Sequence, residues 1–183
     1  MRAPDVGRAI LLVAILAIAF LSGIWFGTSL TQPAISQSQA QVCYSPRHDC
    51  ASIVMHWITE ARTSVHVLMF TFTLQQLADA LIEAKNRGVD VRVVLERNQD
   101  ANEAVRSRLL AAGVEVRMDN NEALMHDKIA ILDSKVVLTG SFNWTESANN
   151  SNNENLLVIS DLILAQSYEA QFEAIWNESS GSS

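Results

Sequence analysis

Two cysteines, three prolines and seven glycines in 183 residues are too few for a disulfide-dense scaffold or a collagen-like repeat, and 49 % hydrophobic residues exclude a disordered tail. Positive charge is also scarce, with 13 Lys and Arg against 20 Asp and Glu and a formal net charge of −7. A chain of this balance does not hold nucleic acid by bulk electrostatics, although an enzyme with a locally basic cleft is compatible with it. Charge of either sign is absent from residues 9–46, and residues 9–26 are almost wholly apolar. Setting residues 1–30 aside leaves 11 basic and 19 acidic residues, a net of −8, in one ordinary globular domain.

Arg2 and Arg8 precede AILLVAILAIAFLSGIWF. At 1.5 Å rise per residue these residues reach roughly 27 Å and just cross a bilayer core of about 30 Å. Basic residues before the stretch and none just after it predict a cytoplasmic N-terminus with the remainder outside. Residues 1–30 are therefore read as a single-pass transmembrane helix in the cell membrane. Trp25 and Phe26 would be its interfacial anchor. The alternative is a cleaved signal peptide, cut near Gly27, that releases a secreted or periplasmic protein. Residues 31–42 read as a polar tether, and residues 43–183 as the catalytic domain. Cys43 and Cys50 follow the tether in CYSPRHDC. Outside the membrane they predict a short disulfide loop pinning the start of the domain. A metal site with His48 would have three ligands and no evident fourth, which is weak for structural zinc; two free thiols are the remaining reading.

Helical spacing of Ile53, Val54, Trp57, Ile58 and Ala61 predicts a helix to about residue 62, with Asp49 as its N-cap. SVHVLMFTF reads as a buried strand. Thr73 and Gln76 resemble a capping box, followed by a helix with Leu74, Leu77, Leu81 and Ile82 on one stripe that stops at Gly88. GVDVRVVLE is the next strand, and a second helix-Gly-strand unit repeats the pattern at residues 101–118. KIAIL and VVLTG, joined at Asp133-Ser134-Lys135, predict an antiparallel hairpin. ENLLVI is a further strand, and a closing helix over residues 161–178 carries Leu164, Tyr168, Phe172, Ile175 and Trp176. These elements predict an α/β sandwich with a mixed β-sheet flanked by helices on both faces.

Of four histidines, His48, His56 and His66 are read as structural or solvated. His126 opens MHDKIAILD, where a period of two puts it on one face with Lys128. Imidazole can attack phosphorus or shuttle a proton, and an ammonium offsets charge on non-bridging oxygens. GSFNW then delivers Ser141 and Asn143 to the same sheet edge, and Glu154 opens the strand beyond. A carboxylate accepting from the His126 Nδ1 would fix the tautomer and leave Nε2 free to attack.

His126, Lys128 and Asp133 stand as H-x-K-x4-D, followed by G-S-x-N at Gly140, Ser141 and Asn143. In this pattern the chain resembles the phospholipase D superfamily. It is most like the small single-motif members, a secreted bacterial endonuclease and a mitochondrial cardiolipin hydrolase, from about Cys43 to Trp176. In that family two motif copies form one active site. This chain has one copy, so the resemblance implies a homodimer with its active site at the interface. It further implies that His126 of one subunit attacks phosphorus and that of the other protonates the leaving oxygen. Lys128, Ser141 and Asn143 would bind the substrate phosphate, and Glu154 would orient the imidazole. No metal or other cofactor is implied.

Asp133, past the end of its strand, is read as a turn residue bonding the backbone rather than as catalytic. Glycosylation signals begin at Asn143, Asn149 and Asn177, of which the first would block the site. The substrate is read as DNA or RNA, with phospholipid as the alternative and membrane proximity through the N-terminal helix in its favour. Phe142 and Trp144 are acyl-contact candidates whose commoner fate is core packing. Arg92, Arg97, Arg106, Arg108 and Arg117 are candidates for a phosphate-tracking patch, though scattered solvated arginines are the default.

Overall fold

In the computed structural model, which describes residues 38–181, Asp49 caps the first helix as its spacing predicts, its side chain accepting from Ser52 N. Helix α1 spans Cys50–Glu60, and Val54 and Ile58 bury its apolar stripe. Strand β2 (Ser64–Met69), α2 (Gln75–Asn86), β3 (Asp90–Leu95), α3 (Glu103–Ala111) and β4 (Glu115–Met118) form the two right-sized helix-strand units. The crossover helices leave β2, β3 and β4 parallel. Strands β5 (Lys128–Leu132) and β6 (Val136–Gly140) make the expected antiparallel hairpin, and β5 also pairs antiparallel with β2.

Beyond β6 lie a short helix α4 (Glu146–Asn150), β7 (Glu154–Ser160), α5 (Leu162–Glu178) and the two-residue β8 (Ser180–Gly181). With β1 (Gln39–Ser45) the strands form one mixed sheet in the order β1-β7-β6-β5-β2-β3-β4-β8. Alternation in β2 sends Val65, Val67 and Met69 into the core shared with α1, α2 and α3, and Leu68 into a second core. That second core joins Val94, Ile129, Ile131 and Val137 to Phe172 and Trp176 of α5. Both sheet faces are therefore covered, which explains why β2 and β3 are almost continuously apolar.

Four local expectations are corrected. Residues 39–42 belong to β1 rather than to a tether, because pairing with β7 uses backbone groups and leaves the polar side chains of this edge strand in water. The strand expected through residue 72 ends at Met69; Phe72 leaves it to be wholly buried edge-to-face against Trp144, with ring centroids 4.8 Å apart. The Thr73–Gln76 capping box does not form, since Leu74 is the N-cap and the N–H groups of Thr73 and Leu74 donate to the Trp144 carbonyl. The strand expected to open at His126 begins at Lys128.

Cys43 and Cys50 are joined by a disulfide, with Cα atoms 5.8 Å apart, which takes both thiols out of metal chemistry. His66 is structural as expected. It stacks on Phe172 at 4.6 Å, and its Nδ1 meets Glu169 at 2.7 Å. Arg92, a donor with no acceptor, binds its Nε2 at 2.8 Å, so the imidazole donates from Nδ1. Residues 1–30 lie outside the described residues, and so does most of the expected tether. Among the described residues no helix is long and apolar enough to cross a membrane.

Candidate active site

The carboxyl ends of parallel β2, β3 and β4, the start of β5, the end of β6 and the start of β7 all meet at one edge of the sheet, the usual place for a site in such folds. A cavity of about 480 Å³ opens there, lined by His126, Lys128, Gly140, Ser141, Asn143, Glu154 and Asn155. The topology thus brings the sequence-predicted residues together, apart from Asp133.

His126 is exposed on the loop before β5, its ring packed 4.5 Å from the Phe70 ring. Lys128 is the first residue of β5 and is 8 % exposed. Its Nζ lies 4.7 Å above the Phe70 ring and donates to the His126 carbonyl at 2.7 Å. Burial holds this ammonium below the usual lysine range, with Asp127 and Glu154 pulling the other way. The result is a half-desolvated cation beside an accessible imidazole, suited to offsetting phosphoryl charge.

Ser141 and Asn143 reach the cavity through a sharp departure from β6. Gly140 has φ +142°, and a Cβ there would collide with the Asn155 carbonyl; only glycine fits. That carbonyl then accepts from Ser141 N at 3.1 Å and Phe142 N at 3.2 Å. Asn155 is a site residue that sequence reading missed, because its contribution is largely backbone. Asn143 Oδ1 accepts from Thr71 N at 3.2 Å, which leaves its amide N–H groups for an anion. Phe70 was also missed as a contact of the imidazole; its only signal was its place in FTF.

Glu154 does not bond the His126 ring within one chain. Its Oε2 accepts from Ser141 Oγ at 2.5 Å and its Oε1 from Asn152 Nδ2 at 3.1 Å. Asp133 is at the opposite end of β5, five residues or roughly 17 Å from the site. With Ser134 it forms a two-residue turn at positive φ, 53° and 51°. Its Oδ1 accepts from Thr63 N at 2.7 Å and Ser64 N at 3.1 Å, and both oxygens accept from Arg62 N. Burial raises this carboxyl, and those N–H groups outweigh it to hold it below the usual range.

Phe142 and Trp144 are 1 % and 2 % exposed, so they are core residues and cannot grip an acyl chain. Asn149 is buried, accepting from Ala51 N and donating to Asp49, and is no glycan acceptor. Four of the five candidate arginines are taken up by partners within the fold, Arg92 and Arg117 both packing on the Trp176 ring. Arg92 pairs with Glu173, Arg106 with Glu103, Arg108 with Asp79, and Arg117 bonds the Trp176 carbonyl.

The family model described as cardiolipin synthase, PLD-like domain, matches residues 54–176. A mitochondrial cardiolipin hydrolase of Xenopus tropicalis is 36 % identical over 149 residues, covering 80 % of this chain and 71 % of that one. A phospholipase D of Rickettsia bellii is 36 % identical over 135 residues, covering 73 % and 67 %. Among solved structures, Nuc from Salmonella typhimurium, a phospholipase D family member, superposes with a TM-score of 0.76 at 34 % identity, covering 80 % of this chain and 99 % of that one. With the motif residues in one pocket and a family match over most of the folded domain, this chain belongs to the phospholipase D-like family.

Proposed function

We propose that the protein is a phosphodiester hydrolase working through a covalent phosphohistidine, with nucleic acid as its substrate. The convergence of His126, Lys128, Ser141 and Asn143 on one open cavity supports the reading most directly. An imidazole nitrogen of His126 attacks phosphorus, and the bond to the leaving oxygen breaks. The partner subunit's His126 gives that oxygen its proton, then takes one from water as the water displaces the histidine. Lys128 and the Asn143 amide hold the non-bridging oxygens where negative charge accumulates. Ser141 joins them once its hydroxyl leaves Glu154, which is then free to orient an imidazole. One motif histidine per chain makes the second subunit part of the site, so the working unit is a homodimer. Residues 1–30 anchor it with the catalytic domain on the extracytoplasmic side.

The lining favours nucleic acid over lipid. The cavity that joins His126, Lys128, Ser141, Asn143 and Glu154 is lined by polar side chains, and the two aromatics proposed for acyl contact are in the core. Phospholipid is the second reading, favoured by the names of the cardiolipin hydrolase and phospholipase D relatives. The test follows a labelled single-stranded oligonucleotide with purified protein in excess EDTA, beside His126→Ala. Cleavage by the wild type alone is expected. Silence from both, with hydrolysis of anionic phospholipid vesicles by the wild type, would move the assignment to lipid. Full specific activity at dilutions where sedimentation finds only monomer would refute the shared site.

A further inference from the structure

β3 and β4 are parallel with Leu95 opposite Met118. The next residue of each, Glu96 and Asp119, therefore leaves the sheet side by side at its carboxyl end. Both are buried, at 0 % and 2 % exposure, and two adjacent buried carboxyls are costly unless hydrogen-bonded. Glu96 Oε1 accepts from Asn98 N at 2.8 Å and Oε2 from Met125 N at 2.7 Å. Asp119 accepts from Asn121 N at 2.7 Å and from Arg97 N at 3.3 Å. The two carboxyls are near enough for each to feel the other's charge, which disfavours ionising both. Burial first, and then the Glu96 charge, push the Asp119 carboxyl up against the pull of the Asn121 and Arg97 N–H groups.

Residues 119–127 contain no helix or strand, yet they deliver His126. Their inner anchor is Met125, 4 % exposed, whose N–H is the one that Glu96 holds. A separate tie leads to the same place. Buried Asn102 donates from Nδ2 to the Glu96 carbonyl at 3.2 Å and to the Phe70 carbonyl at 3.0 Å, and the Phe70 ring is the one against His126. The acid behind the loop and the aromatic in front of it are thus braced by one amide.

We propose that Glu96, locked beside Asp119, is a positioning residue for His126: by holding the Met125 N–H it sets where the imidazole stands against Phe70 and the pocket. This rests on His126 being the nucleophile of the reading above. The carboxylate touches no reacting atom and acts through the backbone one residue away. Reacting groups displaced by about 1 Å lose on the order of 100-fold in rate, which is the scale of effect that a slack loop produces.

The test uses full-length protein in detergent and bis(p-nitrophenyl) phosphate, a phosphodiester that needs no nucleic-acid or lipid contact. Glu96→Ala is expected to lower kcat by about 100-fold with KM little changed, counted per folded protein. Glu96→Gln keeps an oxygen for the Met125 N–H and gives up only the bond from Asn98 N, so it retains most of kcat. Should the alanine variant not fold, Glu96→Asp keeps the charge but withdraws from Met125 and is expected to lose kcat likewise. Unchanged kcat per folded protein in Glu96→Asp and Glu96→Ala, or a loss in Glu96→Gln as deep as theirs, overturns the proposal. A wild type inert on this probe is a different failure, that of the phosphodiesterase reading. Amide exchange at Met125 then decides the anchor, and equal protection in wild type and Glu96→Asp overturns it.

Discussion

Replacing Asp133 by alanine separates membership of the H-x-K-x4-D pattern from membership of the active site. Its carboxylate binds three successive backbone N–H groups, from Arg62 to Ser64, and the Thr63 hydroxyl. Hydrogen bonds to a charged acceptor contribute about 1.5–3 kcal/mol each when buried, but the Arg62 and Thr63 groups are exposed and rehydrate on its loss. Roughly 2 kcal/mol is then the net loss from the set. Alanine at a φ of 53° adds about 1 kcal/mol, since it tolerates the left-handed region less well than Asp. A total near 3 kcal/mol corresponds to roughly 10 °C in Tm for a domain of this size. Asp133→Asn, which retains Oδ1 and the turn preference, should lie between. Thermal denaturation paired with kcat at a temperature where all variants are folded reads both quantities. Lost turnover with an unchanged Tm would refute a purely structural Asp133. The same carboxyl also has a pH signature: held below its unfolded value, it contributes stability present above about pH 4 and lost as pH falls through the folded value.

Lys128 must be protonated to stabilise phosphoryl charge, and burial lowers its folded value, so its ammonium is lost earlier as pH rises. The kcat profile should fall along an alkaline limb below about pH 10.4, and a profile flat to that point would count against the role. Gly140→Ala should cost at least about 3 kcal/mol by denaturant melt and remove activity, because strain at positive φ adds to the clash with Asn155; near-wild-type stability would contradict the geometry. Reducing the Cys43–Cys50 bridge, a short loop, should destabilise the domain by roughly 2.5 kcal/mol on chain entropy, measured as a fall in Tm with dithiothreitol. No change would mean that β1 is held by its pairing with β7 alone.

Near-neighbour physics made much of the fold legible in the sequence. Helix α1 and its Asp49 cap, the two repeated helix-Gly-strand units, the Asp133-Ser134 hairpin and the amphipathic α5 all depend on residues within a few positions of one another. The candidate pocket was legible for a related reason: His126, Lys128, Ser141 and Asn143 fall at the ends of two strands joined by a tight turn, so local chain geometry carries them to one edge. The Asp133 carboxylate was equally readable, because a turn needs a residue that tolerates positive φ. Tertiary structure decided what depends on distant backbone. Insertion of β7 between β1 and β6 places Asn155 under Gly140 and gives Glu154 the Ser141 hydroxyl instead of an imidazole. Packing of the chain after β2 against the segment that follows β6 shortens β2 and draws Phe72 and Trp144 inward. Glu96 and Asp119 look like ordinary solvated acids after a strand until the parallel register sets them side by side. Periodicity reports which face of an element a residue occupies, whereas a buried polar group's partner is chosen by whichever remote backbone the fold brings within hydrogen-bond reach.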